Sequence, residues 1–329
     1  MPLMIMGGVM LAAGYGLSSQ VTSYWQFVLI QALMIGLLGS SVSFGPLVAD
    51  ISLWFRRRRG IAVALVASGN YLAGAVWPPL IERLIDVAGW RQAHMTVGIV
   101  CLVTMLPLSL ALRSRPAVVE GQKIDPAPSA PASSLGLSPR AVQALLVLAG
   151  LACCIAMSMP QVHIVAYCLD LGYGMARGAE MLSLMLALGI VSRLVSGWIA
   201  DHIGGLKTLI LGSVLQCLAL FFYLPFDGLV SLYLVSALFG LSQGGIVPSY
   251  ALIVRDYFPA SEAGARVSLV LMSTVVGMAL GGWMSGEIFD LTGSYQAAFL
   301  NGIAWNFLNM FIAFGLLIGP KLSRPKLSS

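Results

Sequence analysis

The sequence predicts an all-α, polytopic membrane helix bundle of about ten transmembrane helices, four before a central linker and six after it. Three observations carry this. Of the 329 residues, 58% are hydrophobic and 9% charged, where a soluble domain carries about 25% charged residues. With a mean hydropathy of +0.90, the chain has too little polar surface to face water. The apolar residues fall into runs of spanning length, roughly 20 residues each. Two stretches, one on each side of the linker, repeat one another.

The predicted spans are 3–19, 24–53, 60–85 and 92–112, then 140–168, 177–200, 206–224, 229–254, 264–289 and 296–319. The opening MPLMIMGGVMLAAG lacks the basic segment of a cleavable signal peptide. Small residues recur where helices pack closely in lipid, as at Gly277, Gly281, Gly282 and Gly286. Between the fourth and fifth spans lies 113–139, rich in Pro, Ser and Ala, which reads as a flexible cytoplasmic linker. The chain thus divides into an N-terminal helical half (1–112), the linker, and a six-helix C-terminal half (140–329).

Lys and Arg gather in one set of loops: Arg56 to Arg59, Arg113, Arg115, Lys123, Arg140, Lys207, Arg255, Arg266 and the C-terminal tail. The other set holds only Arg83, Arg91 and Arg177. Short basic loops stay in the cytoplasm, which places both termini there, in the cell membrane. The net charge of +5 is a topology signal on this reading, and nucleic acid is not an expected partner. Cys101, Cys153, Cys154, Cys168 and Cys217 lie in apolar stretches without a CxxC pair, and read as small core residues. No metal site, cofactor motif or phosphate-binding loop is visible, and a monomer is expected.

The repeat joins IDVAGWRQAHMTVGI (85–99) to FDLTGSYQAAFLNGI (289–303). Asp86 falls on Asp290, Gly89 on Gly293, Gln92 on Gln296 and Gly98 on Gly302, each at the offset 290 − 86 = 204. Further back, Gly60 falls on Gly264. Parallel repeats of this size mark one large transporter architecture. Carried backwards, the offset leads to the expectation that about two spans are missing ahead of Met1.

At this point the chain resembles the major facilitator superfamily, twelve spans in two six-helix halves, beginning at that family's third helix. GWIADHIGGLKTL is similar to its cytoplasmic-loop signature, through Gly197, Asp201, Gly204 and Lys207. Within the superfamily, WFRRRRGIAVALVASGNYLAG (54–74) and the preceding GSSVSFGPLVADISLWF resemble monocarboxylate and oxalate/formate transporters. The resemblance implies that Arg193, eight residues before Asp201, contacts the substrate carboxylate. It also implies a cytoplasmic gate in which Asp201 meets the start of the helix that follows Arg56, Arg57, Arg58 and Arg59. There are departures. Animal-type monocarboxylate carriers have an acidic residue one turn before that arginine, where this chain has Gly189. The oxalate carrier has a lysine in its eleventh helix, where 264–289 has none. Gln31 stands where proton-drug antiporters carry an arginine.

The residues themselves support a site. Arg193 lies about eight residues from the cytoplasmic end of its span, ~12 Å deep at 1.5 Å per residue. A charge at such depth faces a cavity or a partner and is a functional candidate by default, and the planar guanidinium fork suits a carboxylate. The bland alternative is a charge paired inside the bundle. His163 titrates near neutral pH and is the candidate for carrying a coupled proton, or else a hydrogen-bonded helix residue. Asn70 and Tyr71 form a mid-membrane polar pair, with Gln243 and Tyr250 as further cavity candidates. The expected function is secondary active transport of a small organic anion, a monocarboxylate, by alternating access and with a proton as an eligible co-substrate. The alternatives are a non-transporting fragment or regulator and an exporter of a neutral solute or drug. A membrane enzyme would need a nucleophile–base or metal constellation, and the sequence offers none.

Overall fold

The computed structural model describes residues 2–39, 51, 59–111 and 137–322. All regular structure among them is helical. The elements are α1 (Pro2–Ser18), α2 (Tyr24–Ile30, continued by a π-helical stretch Gln31–Leu38), α3 (Arg59–Ala111), α4 (Pro139–Asp170), α5 (Met175–Ile203), α6 (Gly205–Phe222), α7 (Leu229–Gln243), α8 (Ile246–Tyr257), α9 (Ala260–Thr292) and α10 (Tyr295–Leu322). The linker up to residue 136, the end of the expected 24–53 span and the arginines at 56–58 lie outside the described residues.

Among the described residues, seven helical runs are long and apolar enough to cross a membrane, and Met4–Ser18 and Tyr24–Leu38 are shorter apolar helices. The longest run, Gly60–Ser109, has 50 residues. At 1.5 Å per residue it reaches ~75 Å, more than twice the ~30 Å hydrocarbon core. It is broken at Gly89 (φ 81°, ψ 161°), a conformation open essentially to glycine alone. The break falls between the predicted spans 60–85 and 92–112. Its repeat counterpart Gly293 also has positive φ, at 64°, and closes α9 by donating its N–H to the Phe289 carbonyl at 2.7 Å. The two repeat copies therefore both place a positive-φ glycine here, extended in ψ at Gly89 and left-handed helical at Gly293. The predicted span 229–254 lies within one spanning run, Leu229–Tyr257, in which α7 and α8 meet at a turn at Gly244–Gly245.

The described residues form two compact units. The first comprises α1, α2 with its π-helical continuation, and α3 from Trp77 onwards. α1 packs closely here, since a Cβ on Gly14 would meet Ile35 at 2.7 Å and one on Gly98 would meet the Ala12 carbonyl at 3.1 Å. His94 lies among the rings of Tyr15, Phe27 and Trp90, beside a cavity of about 320 Å³.

The second unit comprises α3 up to Val76 and α4 to α10. Its centre is α4. Ser138 caps this helix by accepting the Ala141 N–H at 3.2 Å, with Pro139 in the first turn. Every residue from Ala152 to Pro160 is buried. α9 reaches α4 through glycines: a Cβ on Gly277 would run into the Leu151 carbonyl, and one on Gly281 into the Ser158 hydroxyl and Ile155 Cα. Such close approach replaces hydrophobic collapse as the source of helix association in lipid. Leu269, Met272, Val275 and Trp283 on α9 and Phe311 on α10 stay exposed, as apolar lipid-facing side chains do. Gly277→Ala and Gly281→Ala should each lower the thermal unfolding midpoint in detergent, at a cost of about 1–3 kcal/mol for overpacking. Gly315→Ala, where a Cβ meets nothing within 4 Å, should leave it unchanged or raised.

Candidate functional site

α5 carries both Asp201 and Arg193, and both meet the first turns of α3. The leading N–H groups of a helix lack intrahelical acceptors, and its positive end attracts a carboxylate. Asp201 serves both needs. Its Oδ1 accepts from the Gly60 N–H at 2.8 Å and its Oδ2 from the Ile61 N–H at 3.3 Å. The helices cross here on glycine: a Cβ on Gly60 would lie 2.5 Å from the Gly197 carbonyl, and one on Gly197 would lie 2.7 Å from Ala64 Cβ. Gly204 turns the chain from α5 into α6 at φ 86°, and Lys207 is exposed. Arg56, Arg57 and Arg58 lie outside the described residues, as does the side chain of Arg59. Gly264, the repeat counterpart of Gly60, has nothing within 4 Å of a built Cβ.

Two turns deeper, Arg193 is 3% exposed. Its Nε donates to the Gly244 carbonyl at 2.9 Å and its Nη1 to the Ala67 carbonyl at 2.5 Å. Its Cζ stands 3.7 Å from the centroid of the Tyr71 ring, a cation–π contact that gains strength once desolvated. Among the described residues no carboxylate pairs with it. Two of five guanidinium donors are thus held by neutral carbonyls.

The backbone explains why those carbonyls are in reach. In an unbroken helix the Gly244 carbonyl would accept from the N–H four residues on. That residue is Pro248, which has no N–H. Glycines bring the helices together around it. A Cβ on Gly240 would run into the Met185 carbonyl, and one on Gly244 into the Gly189 carbonyl. The Gly244 N–H donates to Ser192 Oγ at 3.2 Å. A Cβ on Gly189 would stand 2.7 Å from the Tyr71 ring, so the absence of a side chain there admits the ring that covers Arg193.

A glutamine pair adjoins this cluster. Gln161 on α4 donates its Nε2 to Gln243 Oε1 at 2.5 Å. The Gln243 Nε2 is buried without a hydrogen-bond partner among the described residues. Gln161 also neighbours the Tyr71 hydroxyl.

Of the expected site residues, Tyr71 and Gln243 join Arg193. Asn70 does not; one residue from Tyr71 is about 100° around a helix, and Asn70 is exposed. His163 is two residues from Gln161, on the opposite face of α4. It hydrogen-bonds the Gly282 carbonyl of α9 through Nε2 at 2.8 Å. Tyr250 is fully buried in another network, donating to Asn309 Oδ1 at 2.8 Å, while Asn309 donates to Ser213 Oγ at 2.7 Å. Sequence reading passed over Gln161 and both carbonyl ligands. The spacing of Gly244 and Pro248 was the available signal for one of them.

The Major Facilitator Superfamily pattern matches residues 1–231 and, in a second match, 181–329. The chain belongs to the Major Facilitator Superfamily. Within the superfamily it is monocarboxylate-transporter-like. It is 30% identical to monocarboxylate transporter 13 of Bos taurus over 91% of this chain and 69% of the relative. It is 29% identical to monocarboxylate transporter 11 of Mus musculus over 96% of this chain and 72% of the relative. The superfamily fold is seen directly in the crystal structure of the transporter FucP in its outward conformation. That structure matches with a TM-score of 0.66 at 16% identity, over 95% of this chain and 82% of that one. This chain is therefore a multi-pass membrane protein of a transporter superfamily.

Asp201→Ala should lower the thermal midpoint by the loss of a helix cap, about 0.5–2 kcal/mol, with Asp201→Asn intermediate. Hydrogen exchange at the Gly60 and Ile61 amides should accelerate in both variants.

Proposed function

We propose that this chain is a secondary active transporter of a small monocarboxylate anion. It would act by alternating access, as a monomer in the cell membrane, with both termini cytoplasmic. The observation that carries the reading is a buried arginine with no carboxylate partner among the described residues. A guanidinium binds a carboxylate more strongly than it binds neutral carbonyls, through paired charge-assisted hydrogen bonds. An arriving anion therefore has a binding advantage over the groups that hold Arg193 now. The relatives named as monocarboxylate transporters support the same substrate class. The Gln243 Nε2, without a hydrogen-bond partner among the described residues, offers a further donor in the adjoining glutamine pair. The Asp201 contact with the start of α3 is the proposed cytoplasmic gate, since it is made of groups that can separate without leaving an apolar surface torn. Tyr250, Asn70 and His163 have no part in binding on this reading.

Uptake of a labelled monocarboxylate into proteoliposomes tests it. Arg193→Lys keeps the charge but loses the planar fork and should lose most uptake, while Arg193→Ala should lose all of it, with both proteins inserted normally. Uptake unchanged by either substitution removes the anion site from Arg193 and favours a neutral solute.

A further inference from the structure

Resting on that reading of Arg193, we propose that Pro248 is a positioning residue for the anion site. It acts by leaving the Gly244 carbonyl without a helical donor. The 2.9 Å bond from Arg193 Nε to that carbonyl lies at the interruption between α7 and α8. Both Gly244 and Gly245 have helical φ/ψ there, at −57°, −34° and −87°, −10°. The turn is therefore tight enough for helix hydrogen bonding to resume at once, and the Ser249 N–H already bonds the Gly245 carbonyl at 3.2 Å. Only position 248 lacks a donor. The Gly244 carbonyl is buried beside α5 and needs a partner; Arg193 supplies it.

The consequence is directional. With Nε fixed by Gly244 and one Nη1 hydrogen by Ala67, the guanidinium plane cannot rotate about its stem. Its Nη2 edge, which donates to neither of those carbonyls and shares the neighbourhood of the Tyr71 hydroxyl, keeps one orientation. A preset donor edge binds a planar carboxylate at lower entropic cost than a free one. An alanine at 248 restores an N–H aimed along the helix at the Gly244 carbonyl. That N–H competes with Nε for the acceptor and frees the arginine to reorient.

Pro248→Ala should raise the KM for monocarboxylate uptake about 3- to 10-fold while maximal uptake changes less than twofold, the signature of lost uniform binding. Pro160→Ala, another proline inside a helix of the same unit, should leave KM unchanged. A merely structural role for Pro248 is separated by a double-mutant cycle on thermal stability. Pro248→Ala and Arg193→Met should be non-additive, because each removes the same Nε–carbonyl bond, whereas Pro160→Ala and Arg193→Met should add. Additive effects of Pro248→Ala and Arg193→Met, or an unchanged KM in an active Pro248→Ala protein, overturn the proposal. If the cycle is non-additive but the unsubstituted protein takes up no monocarboxylate, the positioning of Arg193 stands and the substrate reading falls.

Discussion

A permanent positive charge buried among apolar helices must be solvated by the protein, and in this chain backbone carbonyls do most of that work. Arg193 reaches Ala67 on α3 and Gly244 after α7, so three helices must stay within a few ångströms of one point. That requirement propagates outward. Gly189, Gly240 and Gly244 are positions where an added Cβ would strike a neighbour's ring or carbonyl, and they are the positions that bring those helices together. The interruption between α7 and α8 belongs to the same requirement, because Pro248 leaves the Gly244 carbonyl without a helical donor.

The pairing of α3 with α5 has two attachments of different character. Near the end of α5, Asp201 holds the first N–H groups of α3, a contact between a charge and a helix terminus. Deeper in, Arg193 holds a carbonyl about two turns further along α3 and lies against Tyr71. Both use the backbone of α3 as the partner. Backbone groups sit at fixed positions along a helix axis, so the two contacts set the register of α3 on α5 as well as its distance. A carboxylate entering at Arg193 would alter the deeper attachment without touching the outer one.

Much of the fold was legible because a membrane imposes few rules. Apolar run length was enough to locate most helices, and the chain breaks at Gly89 and Gly293, between runs that hydropathy separates. Arg193 and Asp201 were legible because a charge inside a span and a charged loop motif are rare events in an apolar chain. What escaped has a common cause. Hydropathy finds the span 229–254 and misses only the turn within it, because GGIVP is as apolar as its surroundings. Side chains were judged singly by polarity, so Asn70 and Tyr71 were grouped although helix geometry separates them. Tyr250 looked like a cavity residue because a buried hydroxyl and a cavity hydroxyl have the same letter; only the position of Asn309 tells them apart. Gly189 looked like a missing acid, where its smallness is what lets the Tyr71 ring lie on Arg193.

The ligands of Arg193 are peptide oxygens, and this has a bearing on how such a protein diverges. The oxygen at position 67 does not depend on the side chain beyond its being small enough for a fully buried site, so its role is fixed by the backbone and only its size by the letter. Replacing each side chain in turn by alanine would pass over Ala67 entirely. A catalogue of essential letters would then record the arginine and omit half of what holds it. Divergence in this part of the protein is limited by where the chain runs, and the places that record it are the glycines and the proline that shape the path.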